Sequence, residues 1–390
     1  MKKTTSFDVL IVYSAANTTS ASSKNLGITT PFKKKCAKYN DVYAYFLQSC
    51  AAQNIKAAFT TTNDITGSGE CKSYWLFEQN EWVKVNEACF APLIFDKFFP
   101  ITVIRQFERE MMFASGVSKS FTNTHLYKLF FDKFETYSKL KAFSVPTVII
   151  EGKKLKDIKF ALTSLQEKIN LHPNRNDFLG KVILKDRYGA GGYNIHKIDS
   201  DFAKNIHSYI KKNEKLSFII QPFVAFENGY TYKDYSGATE IRLIYLGKKV
   251  VQTYIRVAGN KDFLCNHGQG GIWITEEDIP TRVLKTATKI ASKLNKSSAL
   301  FALDFIVSNN NNVYLLEGNI SPGIDWYTAF PANEKMNKHM IDVIVGELLR
   351  RTLAASAVKT KISSDEKAFL KPRAYLGAFP ISTLLPHQVL

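Results

Sequence analysis

The chain has 390 residues, 45% of them hydrophobic, with 52 Lys plus Arg against 35 Asp plus Glu and a formal net charge of +17. That length and apolar content suffice for two or three packed lobes and exclude a disordered chain, while the positive excess favours anionic partners. No run of about 18 apolar residues occurs, which excludes a membrane-spanning helix, and Cys36, Cys50, Cys71, Cys89 and Cys265 lack C-x-x-C spacing, which excludes a zinc or redox motif and predicts reduced thiols.

Residues 1–3 lead straight into a strand pattern rather than a signal peptide, so the expected location is the cytoplasm. Residues 8–13 (DVLIVY) read as a buried strand, 43–53 as a helix and 55–61 as a second strand. Residues 74–91 alternate like a hairpin and 91–99 like a further strand. The strand, helix, strand order predicts an open α/β lobe with a parallel sheet. A helix is expected over 126–143, a strand over 146–151, a helix over 156–168 and a strand over 181–185. No fixed-period repeat occurs, which excludes a solenoid or propeller. The basic pairs are scattered and lack the aromatic-basic motif of a nucleic-acid module, so nucleic acid is not the expected partner.

After Lys185 comes the glycine-rich loop Asp186-Arg187-Tyr188-Gly189-Ala190-Gly191-Gly192-Tyr193. Glycines let backbone amides wrap phosphate oxygens, and a lysine ending the preceding strand supplies a fixed positive charge. It is not a Walker loop, which needs G-K-[ST], nor a dinucleotide loop opening an N-terminal helix. A hairpin turn would use the same residues.

Residues 299–323 contain two strand patterns around the turn-forming residues 308–312. On the second, the period of two places Val313, Leu315, Glu317 and Asn319 on one face, and folding the hairpin back brings Asp304 towards the acidic end. Three hard oxygen donors suit magnesium, although a hairpin with a solvated acidic edge has the same pattern. Loss of any one of the three is expected to cost metal-dependent turnover and to spare the fold. Residues 334–352 carry a helical apolar stripe that closes the domain, and beyond Ala355 the periodicity stops.

The pieces occur in an order that resembles the ATP-grasp superfamily over 123–353: Asp132-Lys133 before Val145-Pro146, the VILK strand ending at Lys185, Gln221-Pro222-Phe223-Val224, Glu240-Ile241-Arg242, Tyr254-Ile255-Arg256, Asn266 to Gly271, Asp304, and Glu317-Gly318-Asn319-Ile320-Ser321-Pro322-Gly323. The spacing is most similar to glutathione synthetase and the ribosomal-protein glutamate ligases. The resemblance implies an α/β (α+β) fold, two lobes clamping ATP in 119–355, preceded by an open α/β domain in 1–118 and followed by a tail in 356–390.

Residue by residue, it implies that Lys133 and Lys185 hold the ATP phosphates and that Gly189, Ala190, Gly191 and Gly192 close over them. Gln221, Pro222, Phe223 and Val224 would form the adenine hinge, with Glu227 at the ribose. Arg242 and Arg256 would stabilise the transferred phosphate; Asp304, Glu317 and Asn319 would bind two magnesium ions, or manganese in their place. Asn266, His267, Gly270, Gly271 and Ser321 would lie at the substrate. The implied reaction joins a carboxylate to an amine through an acyl phosphate, with an amino acid or a peptide, acidic ones first, as substrate. The reading is compatible with a homo-oligomer and includes no membrane partner. Two alternatives on the same fold stay open: a kinase acting on a hydroxyl of an anionic small molecule, and a non-catalytic nucleotide-binding protein.

Overall fold

The computed structural model describes residues 4–98, 103–189, 191–235, 237–259, 263–266, 270–296, 298–326 and 331–369. Contacts divide the chain into Met1–Leu348 and Leu349–Leu390. Among the described residues no helix is long and apolar enough to cross a membrane, and all five cysteines are free thiols.

The N-terminal part runs β1 (Val9–Tyr13), α1 (Tyr39–Ala52), β2 (Ala57–Thr61), β3 (Tyr74–Glu78), β4 (Glu81–Val85), β5 (Leu93–Lys97), α2 (Val103–Phe113) and β6 (Lys119–Ser120). Its six-stranded sheet has the order β6-β5-β1-β2-β3-β4. The continuous apolar run VLIV is buried in the centre, as a strand covered on both faces requires. Strands β6, β5, β1 and β2 are parallel, as the strand, helix, strand order predicts. The β3–β4 hairpin makes the far edge antiparallel. Gln79 and Asn80 both take positive φ there, 51° and 64°, the backbone of a tight two-residue hairpin turn.

Next come α3 (Thr124–Phe131), α4 (Lys133–Leu140), β7 (Val148–Ile149), α5 (Leu155–Asn170), β8 (Phe178–Asp186), β9 (Ile195–Ile198), α6 (Phe202–Lys212) and β10 (Phe218–Val224). The single helix expected over 126–143 is two helices. Asp132 breaks it: the backbone is extended at φ −101°, ψ 110°, and the side chain accepts from the Phe134 and Glu135 amides as an N-cap. A short carboxylate offers the backbone amides this alternative partner, so the helix restarts with Lys133 at its first position. The four strands form an antiparallel sheet in the order β7-β10-β8-β9. Val182 and Leu184 pack under Ile158, Leu165, Ile206 and Ile210 of α5 and α6. Ile183 and Lys185, one residue out of phase, face the other way.

The last part contains β11 (Thr239–Leu246), β12 (Lys249–Val257), β13 (Ile272–Thr275), α7 (Thr281–Leu294), β14 (Leu300–Val307), β15 (Val313–Asn319) and α8 (Pro331–Phe369). Its antiparallel sheet has the order β13-β12-β11-β14-β15. One face is apolar: Ile241, Leu243, Ile255, Leu303 and Phe305 pack on Val283, Ala287 and Ile290 of α7. The stripe Met340, Ile341, Ile344, Val345 and Leu348 of α8 is buried as its spacing predicts, and the helix continues to Phe369.

Strand β15 departs from the simple period of two. Asp304 pairs with Glu317 but Phe305 pairs with Leu315, so Leu316 is the extra residue of a β-bulge. The bulge turns Leu315 into the core beside Phe305 while Glu317 stays opposite Asp304. Leu315 and Glu317 therefore do not share a face as the alternation predicts. Gly318 then meets α3, where a Cβ would lie 2.3 Å from the Phe130 ring, so only glycine fits.

Candidate active site

The second face of the five-stranded sheet is polar. Register places Arg242 between Asp304 and Tyr254 and sets Glu240 opposite Arg256, so that alternate residues of β11, β12, β14 and β15 project their charges together. Arg242 donates to both oxygens of Asp304, Nε to Oδ1 and Nη2 to Oδ2. Arg256 Nη2 donates to Asp304 Oδ2 at 3.0 Å and its Nη1 lies 3.2 Å from Glu240 Oε1. Both guanidinium carbons stand 5.6 Å from the Tyr254 ring centroid.

Burial pushes the Asp304 carboxyl up, but the two guanidinium charges outweigh it and hold it down at about 2. Burial raises Glu240 to about 8, with Arg256 pulling the other way. Glu317 sits beside this cluster with its side chain 32% exposed, 4.0 Å from Arg242 Nη2. Asn319 Oδ1 accepts from the Ser321 amide at 2.9 Å.

Facing this surface is a narrow slot of about 90 Å³ between the two antiparallel sheets, with an apolar end formed by Val145, Ile183, Phe223, Val224, Ile306 and Leu316. Its polar end holds Lys133, Lys185, Glu240, Asn266 and Glu317. Lys185 is lowered to about 8, first by burial and also by the Lys133 charge, against the pull of Glu317. Of the four expected hinge residues, Phe223 and Val224 line the slot. Gln221 is turned into the sheet, donating to Thr147 Oγ1 at 2.8 Å, and Pro222 faces the groove beside α5. Glu227 is exposed, accepts from the Phe226 amide at 3.0 Å, and lines neither the slot nor the larger cavities among the described residues.

The glycine loop is latched to the start of α4. Arg187 pairs with Asp132 through two hydrogen bonds, Nε to Oδ1 at 2.8 Å and Nη2 to Oδ2 at 2.6 Å. Lys133 donates its amide to Arg187 O and its Nζ to Gly189 O. Gly192 has φ +77°, and a Cβ on it would lie 2.6 Å from Asn266 Oδ1, so the loop docks there only as glycine. Gly271 donates its amide to Asn266 O at 3.2 Å, and Gly270 has φ +88°. Ala190 and His267 lie outside the described residues. The charge-paired latch is bidentate and only 21% and 11% exposed, so it holds better than a surface ion pair. Arg187→Ala is accordingly expected to speed chymotrypsin cleavage after Tyr188 and Tyr193 at least several-fold, with Asp132→Ala giving the same result; an unchanged rate in both variants would show that the latch does not hold the loop.

Two larger cavities bring in residues of the N-terminal part. One of about 490 Å³ reaches from Lys133, Gly189, Glu317, Asn319 and Ser321 to Tyr13, Tyr39, Lys97 and Asp325. The other, of about 380 Å³, is lined by Arg242, Arg256, Tyr254, Trp273, Lys38 and Asp325. Lys97 is lowered to about 8 by burial, and its Nζ donates to Pro322 O at 2.7 Å. From the sequence, Asp132 and Glu240 enter only as pieces of the resemblance and Arg187 only as a loop residue, none with a role of its own, and Lys97 and Asp325 do not enter at all. The i, i+2 spacing of Glu240 and Arg242 on a strand is the one local signal that could have found a member of this set.

Among the described residues no three His, Cys, Asp or Glu side chains cluster as a metal site. The donor types nevertheless fit magnesium: Glu317 and Asn319 present hard oxygens to the larger cavity, while Asp304 stands directly behind them with both oxygens held by arginines.

The model of the family described as the RimK-like ATP-grasp domain matches residues 139–344, more than half of the chain. A curated relative, the coenzyme gamma-F420-2:alpha-L-glutamate ligase of Methanococcus maripaludis, is 30% identical over 142 residues, which is 36% of this chain and 45% of the relative. The chain thus matches less than half the length of that relative. Among solved structures, the D-alanyl-alanine synthetase A of Vibrio cholerae superposes with a TM-score of 0.58 at 12% identity, covering 91% of this chain and 99% of that one. A D-cycloserine synthetase gives 0.53 at 14% identity over 88% and 99%. A RiPP-associated ATP-grasp ligase of Chryseobacterium gregarium, in complex with ADP and leader and core peptides, gives 0.53 at 12% identity over 88% and 97%. At these identities the structural likenesses concern the fold. With sheet order, cation cluster and family match in agreement, the chain belongs to the RimK-like ATP-grasp family.

Proposed function

We propose that the chain is an ATP-dependent ligase that joins a carboxylate to an amine. The observation that carries this reading is the set of Lys133, Lys185, Glu317 and Asn319 around an apolar slot and the larger cavity that shares Lys133 and Glu317 with it, with Arg242 and Arg256 beside Asp304 on the same sheet. The slot would take the base of ATP against Phe223 and Val224, and the lysines its phosphates. Magnesium, held by Glu317 and Asn319 with Asp304 behind them, would neutralise phosphate charge when bound. Arg242 and Arg256, kept charged beside Asp304, would face the oxygens of the transferred phosphoryl group.

The substrate carboxylate oxygen then attacks the γ-phosphorus, the bond to the β-phosphate oxygen breaks and ADP leaves. Attack of the amine on the acyl carbon forms the C–N bond and expels phosphate, which carries away the amine proton. No side-chain nucleophile is required; the protein holds charge, orients and excludes water. The glutamate ligase among its relatives supports an amino acid or peptide as substrate, and the charge of +17 favours acidic ones.

The test is a screen of amino acids and short glutamate peptides with ATP and hydroxylamine. The expected result is ADP, free phosphate and a hydroxamate of the accepted acid. Labelled γ-phosphate retained on a hydroxyl product, with neither free phosphate nor hydroxamate, would replace the ligase with a kinase.

A further inference from the structure

The exposed side of α7 carries charge of one sign. Arg282, Lys285, Lys289 and Lys293 are all exposed and follow one another at helical spacing, three or four residues apart, which sets them in a single row about 16 Å long. The other exposed residues of the helix are Thr281, Thr288 and Ser292, so that side holds only cations and hydroxyls. Lys296 continues the row past the Asn295 cap. The β11–β12 turn brings the exposed Lys248 and Lys249 to the same end, because Gly247 donates its amide to Ala299 O at 2.8 Å. No Asp or Glu occurs from 279 to 303, and the salt bridges formed among the described residues involve none of these cations. Arg282 Nη2 donates to Gly229 O at 3.1 Å, a contact that leaves its charge uncompensated. Like charges at i, i+4 destabilise a helix, so the row costs the fold something and gains nothing from within it.

We propose that this row is a docking surface for an acidic helical segment of a partner protein. Carboxylates at i, i+3, i+4 and i+7 of such a segment repeat with the spacing of the row, so each cation meets an anion and the repulsion within α7 is relieved on binding. A membrane surface would need apolar side chains beside the cations to enter the lipid, and α7 exposes none. A nucleic-acid strand would need rings on which its bases stack, and α7 exposes no ring either. The buried side of the helix, with Val283, Ala287 and Ile290, packs on the apolar face of the sheet whose other face carries Arg242, Arg256 and Asp304. A partner on α7 is therefore held across the sheet from the candidate active site and leaves that site open, whichever reaction runs there. Exposed ion pairs are weak one by one, so the affinity comes from the row acting together and falls with salt.

The experiment is fluorescence anisotropy of the full chain with a labelled alanine-based peptide of about four helical turns that carries glutamate at every third or fourth position. A peptide of the same composition with its glutamates spread around the helix is the comparison. The patterned peptide is expected to bind at least several-fold more tightly, and to weaken as salt is raised to physiological strength. Arg282→Gln, Lys285→Gln, Lys289→Gln and Lys293→Gln combined, which keep a good helix former at each position, should weaken it by about tenfold or more. The same loss of charge on and just after α6, through Lys204→Gln, Lys211→Gln, Lys212→Gln and Lys215→Gln, should leave it within about twofold, and both variants should keep the wild-type unfolding midpoint. Failure of the wild type to bind the patterned peptide, no preference between the two peptides, or equal affinity in the wild type and the α7 variant would overturn the proposal. So would tighter, α7-dependent binding of single-stranded RNA or of phosphatidylglycerol vesicles, which would give the row to another class of partner.

Discussion

Asp304→Asn is expected to lower the unfolding free energy by about 3 kcal/mol or more, read as a shifted denaturant midpoint at an unchanged slope. Asp304 is fully buried and both its oxygens are taken by Arg242 and Arg256. Removing its charge leaves Arg242, 9% exposed, without a hydrogen-bonded carboxylate and Arg256, 6% exposed, with Glu240 alone. Burial pushes the Glu240 carboxyl up, which makes it a weak substitute for the lost charge. From sequence alone Asp304 is one more metal oxygen whose loss spares the fold; the packing makes it the counter-ion of the arginine pair. The sign of the pH dependence follows. The Asp304 carboxyl is held at about 2, below the ordinary value near 4, so its contribution is fully present above that ordinary value and is lost as pH falls through about 2. An Asp304→Asn chain with the wild-type midpoint would refute this account.

Much of the site is legible in the sequence because it is built from period-two strands. The alternation around Arg242, Arg256 and Asp304 sends every second residue to one face, and register alone brings those three together. The loop after Lys185 is equally local, since its glycines are where positive φ and close approach to Asn266 are needed. The remainder depends on non-local or backbone events that no pattern encodes. A one-residue bulge at Leu316 moves Leu315 into the core, and the helix break follows from which amides the Asp132 carboxylate captures. Gln221 reads as a hinge residue, but its side chain is spent on Thr147, 74 residues away. Lys97 meets Pro322 across 225 residues, so the wall carrying Asp325 exists only after the N-terminal lobe has docked.

Glu317→Gln is expected to lower magnesium-dependent ATP consumption roughly a hundredfold, the scale for loss of a metal-binding carboxylate, while leaving the unfolding midpoint near the wild type. Glu317 pairs with Asp304 across β14 and β15, yet its circumstances are opposite. It is 32% exposed, it faces the slot and the cavity of about 490 Å³, and its arginine contact is only 4.0 Å. An amide in its place strands no buried cation, so stability has little to lose. What is lost is a carboxylate aimed at the space where the phosphates would lie, beside Lys185, whose proton affinity it helps to maintain. The two variants therefore form a matched pair: Asp304→Asn should move the midpoint, and Glu317→Gln should leave the midpoint and remove turnover. Measuring both on one preparation separates the residue that supports the arginines from the one proposed to meet the nucleotide, and a Glu317→Gln protein that consumes ATP at the wild-type rate would remove Glu317 from the proposed metal site.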